Sequence, residues 1–307
     1  MTDQPTRIPD LLCGIDLGGT KIEGIVLDQA HNVLLRKRIP TEGNLGYEHV
    51  LSRVRDLVNA LKQETGCAAD MVGIGMPGTL DPQTGLIRGS NSVHLNHKPL
   101  DKDLQHCLGS RIVLENDANC FALAETRLGV VADTVPDAEV VFGVIMGTGV
   151  GGGLVINDRT IKGCNGIAGE WGHNYLDASG GVCYCGRTGC VETVISGPAT
   201  ERYYAGLSGS NRPLSEIVEL AGRGDAHGMT TINRLTHFFG KGLAYIINIL
   251  DPDAIVIGGG VGNIDELYSQ GIEEVRKHVF SPTMKTRILR PKLGDSAGVF
   301  GAALLCG

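Results

Sequence analysis

The sequence predicts an α/β protein with two similar domains that face each other. The pattern of residues 13–28, CGIDLGGTKIEGIVLD, returns without a gap in residues 142–157, FGVIMGTGVGGGLVIN. A strand, a glycine turn and a second strand therefore occur twice. Short apolar runs also alternate with longer segments of helical periodicity along the chain. Chance similarity between two glycine-rich hairpins is the alternative explanation of the repeat.

The first half of the chain begins with this hairpin and continues with alternating helices and strands. Residues 11–27 contain both strands of the hairpin, and residues 33–38 a third strand. Apolar residues then recur at helical spacing from Tyr47 to Leu61. Two short apolar strands follow, residues 71–76 and 112–114. The second runs into Asn116-Asp117, after which residues 118–128 have helical character.

The second half restarts the pattern at Val140 and ends in helices. Four further helices are predicted from the periodicity, over residues 214–221, 232–250, 264–279 and 297–305. A buried strand, residues 254–257, lies among them. The expected domains are residues 1–117 and residues 118–294. The C-terminal helix, about residues 295–307, is expected to complete the first domain.

The composition excludes several classes of partner. A chain of 307 residues with 42% hydrophobic residues can form two domains with large cores. The net charge of −7 argues against nucleic acid or an anionic membrane as the main partner. The first ten residues lack an apolar core, so no signal peptide is expected, and no apolar stretch reaches the length of a membrane span. Nine cysteines without an export signal predict a reducing, cytoplasmic location.

A cysteine-rich loop predicts a bound zinc ion. Residues 169–192, GEWGHNYLDASGGVCYCGRTGCVE, contain His173, Cys183, Cys185 and Cys190. A Cys₃His set is a standard tetrahedral zinc site, and four protein ligands leave no open position for water. The predicted zinc is therefore structural. A disulfide or free thiols are the alternative, and the spacing is not that of a zinc finger.

Two glutamates flank the predicted zinc ligands. Glu170 stands three residues before the histidine, and Glu192 two residues after the last cysteine. A loop fixed by a metal would hold both carboxylates rigidly, which suits a polyhydroxylated ligand. The alternative for each glutamate is an ordinary surface charge.

Three glycine turns that follow apolar strands predict phosphate binding. Such turns expose successive N–H groups to anionic oxygens. The turns are Gly18-Gly19-Thr20, Gly147-Thr148-Gly149 and Gly258-Gly259-Gly260. Together they indicate a nucleotide held between two domains. Residues 147–152 also fit a dinucleotide-binding G-x-G-x-x-G, but a strand follows instead of a helix, so that interpretation fails.

Two aspartates lie where they could act on a nucleotide and its substrate. Asp16 precedes the first glycine turn and is expected to hold Mg²⁺ through water, although it could simply cap the turn. Asp117 lies between a strand and a helix, where a helix cap is the simpler reading. The helix N-terminus would also keep Asp117 ionised, and an ionised carboxylate can accept the proton of an attacking hydroxyl.

Taken together, these motifs resemble the ROK family of sugar kinases and repressors. The resemblance covers essentially the whole chain. It rests on DLGGTK at 16–21, GMPG at 75–78, GSNS at 89–92, ENDANC at 115–120, IMGTGVGGG at 145–153 and GEWGH followed by CxCGxxGCxE. The resemblance implies the actin-like (ribonuclease H-like) ATPase fold, with ATP and sugar in the cleft between two α/β domains.

The resemblance also implies roles for individual residues. Asp117 would be the catalytic base, and Lys21 would join the nucleotide site. The sugar pocket would consist of Gly78, Asn91, Asn116, Asp117, Glu170, His173 and Glu192. His173 would bind zinc through one ring nitrogen and a sugar hydroxyl through the other. The implied cofactors are ATP, Mg²⁺ and structural Zn²⁺, and a homodimer is expected.

The predicted function is ATP-dependent phosphorylation of the 6-hydroxyl of a hexose. Residues 163–174 and 90–104 look most like the fructokinase branch that also accepts mannose, with N-acetylglucosamine kinases second and glucokinases third. Residues 163–168 and 92–95 are expected to decide whether an acetamido group at C2 fits. Polyphosphate stays open as a donor. A ROK repressor is disfavoured because the ten residues before Leu11 are too few for a helix-turn-helix domain.

Overall fold

The computed structural model describes residues 11–307. The first ten residues, where no signal peptide is expected, lie outside this range. The strands are β1 Leu12–Leu17, β2 Lys21–Leu27, β3 Val33–Pro40, β4 Met71–Met76, β5 Thr79–Leu80, β6 Ile87–Arg88, β7 Arg111–Asn116, β8 Val140–Met146, β9 Val150–Ile156, β10 Arg159–Thr160, β11 Ala254–Gly258 and β12 Arg287–Leu289. The helices are α1 Tyr47–Thr65, α2 Leu100–Leu108, α3 Asp117–Arg127, α4 Val130–Thr134, α5 Val191–Ile195, α6 Gly197–Ser208, α7 Leu214–Gly222, α8 Ala226–Leu250, α9 Gln270–His278 and α10 Ala297–Leu304.

The described chain forms two units with matching sheets. The first unit contains residues 11–124, 162–168 and 296–307, and the second contains residues 125–161 and 169–295. The strand orders are β3-β2-β1-β4-β7 in the first and β10-β9-β8-β11-β12 in the second. In each sheet the first three strands are antiparallel and the last three parallel. The repeat seen in one hairpin thus extends to the whole sheet, and the predicted α/β class is confirmed.

The C-terminal helix α10 belongs to the first unit because glycines let it approach the sheet closely. A β-carbon on Gly14 of β1 or on Gly73 of β4 would collide with the backbone of Ala303 or Ala302. Residues 118–124, which the expected boundary assigned to the second domain, also pack here. The sulfur of Cys120 lies 3.0 Å from the position of a β-carbon on Gly75. The first unit therefore extends seven residues beyond the expected boundary.

Each unit has its own apolar core. In the first unit, the apolar face of α1, including Val50, Val54 and Leu61, is fully buried together with Ile74 of β4. In the second, Phe142, Trp171 and Phe239 are among the largest buried side chains. These clusters hold the strand ends, and therefore the glycine turns, in fixed positions.

The helix predicted over residues 264–279 is wrong in its first part. Residues 265–268 form a 3₁₀ turn, Ser269 has non-helical angles of φ −113° and ψ −86°, and α9 begins only at Gln270. The hydroxyl of Tyr268 donates to the carbonyl oxygens of Ile257 and Gly262. These contacts, with the burial of Leu267, hold the turn against β11, although the apolar spacing fits a continuous helix.

Candidate active site

The first glycine turn is closed by its own backbone and by a buried threonine. The amide of Gly18 donates to the carbonyl of Lys21 at 3.0 Å. The hydroxyl of Thr41 donates to the carbonyl of Gly18 at 2.7 Å, and its amide donates to Thr20. Gly19 and Thr20 stay exposed, so their backbone is available to a ligand. Thr41 follows β3, and no local motif marks it as part of this turn.

Asp16 lies at the end of β1 in an environment that disfavours its charge. It pairs across the hairpin with Glu23 of β2. Burial, and then the negative charge of Glu23, raise the pKa of Asp16 to about 6, although Lys21 and Arg38 oppose the shift. Glu23 is itself buried and accepts a hydrogen bond from Arg38 at 2.7 Å. A carboxylate whose negative charge is not fully offset by neighbouring cations is a suitable contact for a hydrated metal ion.

The raised pKa of Asp16 predicts that its charge destabilises the ligand-free fold. Stability from this group is fully present below the unfolded pKa of about 4 and is lost as pH rises through about 6. The cost at neutral pH is at most about 3 kcal/mol. We expect Asp16→Asn to raise the melting temperature of the ligand-free protein at pH 7.5, with much less effect at pH 4.5, and to lower kcat with Mg-ATP. A variant less stable than wild type at pH 7.5 would contradict this account.

Asn116 and Asp117 lie at the junction of β7 and α3. The side-chain amide of Asn116 donates to the carbonyl of Gly78 at 3.1 Å, and its oxygen accepts from the amide of Ala118 at 2.9 Å. The backbone amide of Ala118 also lies 2.8 Å from the Asp117 carboxylate. Asp117 is the first residue of α3, where the helix dipole stabilises a negative charge. Asn116 is thus fixed on both sides, and it brings Gly78 and Asp117 together.

Glu115 and Lys162 support this junction, and neither was predicted from the sequence to be a site residue. Glu115 is buried and accepts from the amide of Asn116 at 2.9 Å and from Asn119 at 3.1 Å. The ammonium of Lys162 donates to the carbonyl of Leu114 at 2.7 Å and lies 3.8 Å from the Glu115 carboxylate. Lys162 is 47 residues from Glu115 in sequence, so only the fold reveals the pair.

We expect Lys162→Met to move the acidic limb of the kcat/KM pH profile upward. The substitution removes the positive charge that offsets Glu115, so a buried negative charge near Asp117 is left uncompensated. Ionisation of Asp117, the base that the sequence predicts, should therefore become harder. A shift of roughly half to one pH unit is expected. Lys162→Arg should restore the wild-type profile, whereas Lys102→Met, at an exposed lysine of α2, should not change it. A profile that is lowered in Lys162→Met but not shifted would mean that the lysine only supports folding.

In the second unit, three backbone segments meet at the ends of β8 and β11. The amide of Gly147 donates to Gly149, and the amide of Gly197, the first residue of α6, donates to the carbonyl of Gly147, both at 2.9 Å. A β-carbon on Gly147 would lie 4.0 Å from the amide nitrogen of Gly260. The second and third predicted glycine turns are therefore adjacent, with Thr148 exposed at the tip of the second. Helix α6 was not among the helices predicted from the sequence.

Glu192 contacts the second glycine turn. It lies in the first turn of α5 and accepts from the amide of Val150 at 3.0 Å. A β-carbon on Gly149 would lie 2.6 Å from its carboxylate, so glycine is needed there for this approach. A residue predicted to bind sugar is thus held against a turn predicted to bind phosphate.

The four predicted zinc ligands converge. One ligand atom from each of His173, Cys183, Cys185 and Cys190 lies within 4.8 Å of the others. The sulfurs of Cys185 and Cys190 are 3.6 Å apart, and Nδ1 of His173 lies 3.6 Å from the sulfur of Cys183. A disulfide needs about 2.05 Å, whereas sulfurs about 2.3 Å from a tetrahedral ion lie roughly 3.8 Å apart. The donor set and its spacing fit zinc and do not fit a disulfide.

The residues around His173 differ in their exposure. Trp171 is buried in the core, so Glu170 and His173 on either side of it are held in place, with Glu170 exposed. Nε2 of His173, which was expected to meet a sugar hydroxyl, lies 2.9 Å from the hydroxyl of Tyr184. Tyr184 is 77% exposed, so a ligand hydroxyl could take the place of the tyrosine hydroxyl beside His173.

The remaining predicted sugar residue lies on the loop between β6 and α2. Asn91 is exposed there, beside the buried Ser92. A β-carbon on Gly19 would lie 3.1 Å from the hydroxyl oxygen of Ser92, so this loop contacts the first glycine turn.

The chain is similar to known proteins over nearly its whole length. A model of the ROK family matches residues 12–307. An N-acetyl-D-glucosamine kinase of Pectobacterium atrosepticum is 37% identical over 307 residues, which cover 95% of this chain and 97% of that protein.

No helix among the described residues is both long and apolar enough to cross a bilayer.

Solved structures give the same fold. A ROK hexokinase from Thermus thermophilus superimposes with a TM-score of 0.86 at 33% identity, covering 96% of this chain and 97% of that one. A ROK family glucokinase from Streptomyces griseus, solved with glucose and AMPPNP, gives 0.76 at 30% identity, covering 96% and 98%. The predicted actin-like ATPase fold is therefore confirmed.

Proposed function

The chain belongs to the ROK family and is a sugar kinase, and we propose that it transfers the γ-phosphoryl group of ATP to the 6-hydroxyl of N-acetylglucosamine. The sequence alone favoured fructose first and N-acetylglucosamine second. The observation that carries the revised order is the 37% identity to an N-acetyl-D-glucosamine kinase across nearly the full length of both chains. A match that includes both units is better support than the two short segments that favoured fructose.

We propose that the glycine turns bind the phosphates. The proposed residues are Gly18, Gly19, Thr20 and Lys21, together with Gly147, Thr148, Gly149 and the Gly258-Gly259-Gly260 turn. Exposed backbone at Gly19, Thr148 and Gly259 supports this role. Mg²⁺, held through water near Asp16, would neutralise charge on the phosphates.

Asp117 acts as the base in this proposal. The sugar 6-oxygen attacks the γ-phosphorus, its proton passes to the Asp117 carboxylate, and the bond from phosphorus to the bridging oxygen of ADP breaks. Asn116, held by the carbonyl of Gly78, orients the sugar beside Asp117. Gly78, Asn91, Glu170, His173 and Glu192 bind other hydroxyls.

The acetamido group is proposed to lie near the loop of residues 163–168. The loop of residues 163–168, expected to control access at C2, packs on the β5–β6 hairpin. A β-carbon on Gly166 would lie 3.0 Å from the hydroxyl of Thr79, and Arg88 donates to the carbonyl of Asn165. This hairpin directly follows Gly78, so the loop is fixed near a proposed sugar ligand.

Zinc is proposed to be structural. His173, Cys183, Cys185 and Cys190 would hold it, and the ion would fix the chain between Glu170 and Glu192. The donor set supports this assignment, because four protein ligands complete a tetrahedral site.

A coupled ADP-release assay over N-acetylglucosamine, fructose, mannose and glucose tests the proposal. We expect kcat/KM for N-acetylglucosamine to exceed the others by roughly tenfold or more. Polar groups that pair with the acetamido group stay unsatisfied with the other sugars, at about 1–3 kcal/mol each. A preference for fructose or mannose would restore the first sequence-based choice. ADP release that no sugar stimulates would contradict the kinase proposal itself.

A further inference from the structure

A second group of metal-ligating side chains lies on the surface of the second unit, apart from the cysteine loop. His237 belongs to α8, and Glu274 and His278 belong to α9. One ligand atom from each lies within 4.8 Å of the others. Nδ1 of His237 is 3.2 Å from the Glu274 carboxylate, and the rings of His237 and His278 are 5.8 Å apart between centroids.

The two helices hold this group in a fixed arrangement. Glu274 and His278 are four residues apart on α9, so both project from one face of the helix. That face packs against α8, where a β-carbon on Gly240 would collide with Glu274. Asn248 of α8 also donates to the carbonyl of His278 at 3.2 Å. The relative position of the three side chains is therefore set by helix packing and not by a loop.

We propose that His237, Glu274 and His278 form a binding site for a divalent transition-metal ion such as Zn²⁺. Two imidazoles and one carboxylate are a set that binds zinc with a position left for water. Bond lengths of about 2.0–2.2 Å place the ligand atoms of a tetrahedral ion roughly 3.3–3.6 Å apart. The 3.2 Å separation of His237 and Glu274 is already close to this value, and a ring nitrogen of His278 lies within 4.8 Å of both ligand atoms.

The simpler alternative is an ion pair across the two helices. The ammonium of Lys277 contacts the other oxygen of the Glu274 carboxylate. In the ion-pair reading, Lys277 is part of the arrangement. In the metal-site reading, Lys277 competes with the metal, and its removal should strengthen metal binding.

The test is calorimetric titration of the full-length, desalted protein with Zn²⁺. Wild type should bind one equivalent more than Glu274→Gln or His278→Ala, whatever the occupancy of the cysteine site. Lys277→Gln should lower the dissociation constant of that equivalent roughly two- to fivefold, the effect expected for one exposed charge pair. His227→Ala, at another exposed histidine of α8, should bind like wild type.

Melting curves provide the second measurement. Zn²⁺ should raise the melting temperature of wild type more than that of His278→Ala, because the ion would link α8 to α9. All substituted side chains are partly or fully exposed, so the variants should fold. Equal stoichiometry in wild type and His278→Ala, or unchanged or weaker binding in Lys277→Gln, would overturn the proposal in favour of the ion pair.

Discussion

Asp117→Asn should lower kcat by roughly 10²-fold or more, because the variant has no group to accept the proton of the attacking hydroxyl. Asparagine has nearly the same size as aspartate and is an equally good residue at a helix start. We therefore expect α3 to form normally, the melting temperature to change little and the KM for ATP to stay near the wild-type value. Steady-state kinetics with Mg-ATP and N-acetylglucosamine measure the effect.

Asp101→Asn is the matched control for Asp117. Asp101 also lies in the first turn of a first-unit helix, α2, so it shares any favourable interaction with a helix dipole. It is not among the proposed site residues. Both variants should keep their fold, and only Asp117→Asn should lose turnover. Near-wild-type turnover in Asp117→Asn would reduce Asp117 to a helix cap.

Cys185→Ser should remove zinc and lower the melting temperature together. Binding free energies of structural zinc sites are about 10–16 kcal/mol in peptides, and part of this energy is folding energy. The side chain of Cys185 is exposed, so its loss acts through the metal and not through the core. Metal analysis after gel filtration should give about one zinc per chain for wild type and much less for the variant. Activity should also fall, because Glu170 and Glu192 flank the loop.

Cys164→Ser provides the comparison for the zinc experiment. Cys164 is also exposed, but it lies on the loop 162–168 and is not part of the convergent set. Its replacement should leave both zinc content and melting temperature unchanged. Zinc-free wild-type protein with the same melting temperature as the zinc-loaded form would refute a structural metal.

Local patterns were enough to predict the fold class and most of the elements. The gap-free match of residues 13–28 with residues 142–157 predicted two similar domains, and each unit has a five-stranded sheet with the corresponding strand order. The predicted strand 71–76 coincides with β4. Residues 264–279 show the limit of periodicity, since the tertiary bonds of Tyr268 override a helical pattern.

The candidate site was predictable where its residues share a short motif. Asn116 and Asp117 lie side by side in ENDANC, and the zinc ligands lie within 18 residues, so their convergence requires little of the fold. Thr41 donates to a backbone carbonyl 23 positions away, and Lys162 donates to one 48 positions away and lies near the Glu115 carboxylate. Backbone carbonyls have no sequence signature, so these contacts could not be predicted. The choice of sugar depends on loop packing, which two short segments could not determine.

The most direct test of the central claim is the position of the phosphate in the product. The product of a reaction with N-acetylglucosamine and Mg-ATP can be analysed by two-dimensional proton–phosphorus NMR. Our account predicts a correlation from phosphorus to the two protons on C6, with one ADP formed for each sugar phosphate. A correlation to the anomeric proton, or inorganic phosphate as the only phosphorus product besides ADP, would contradict it.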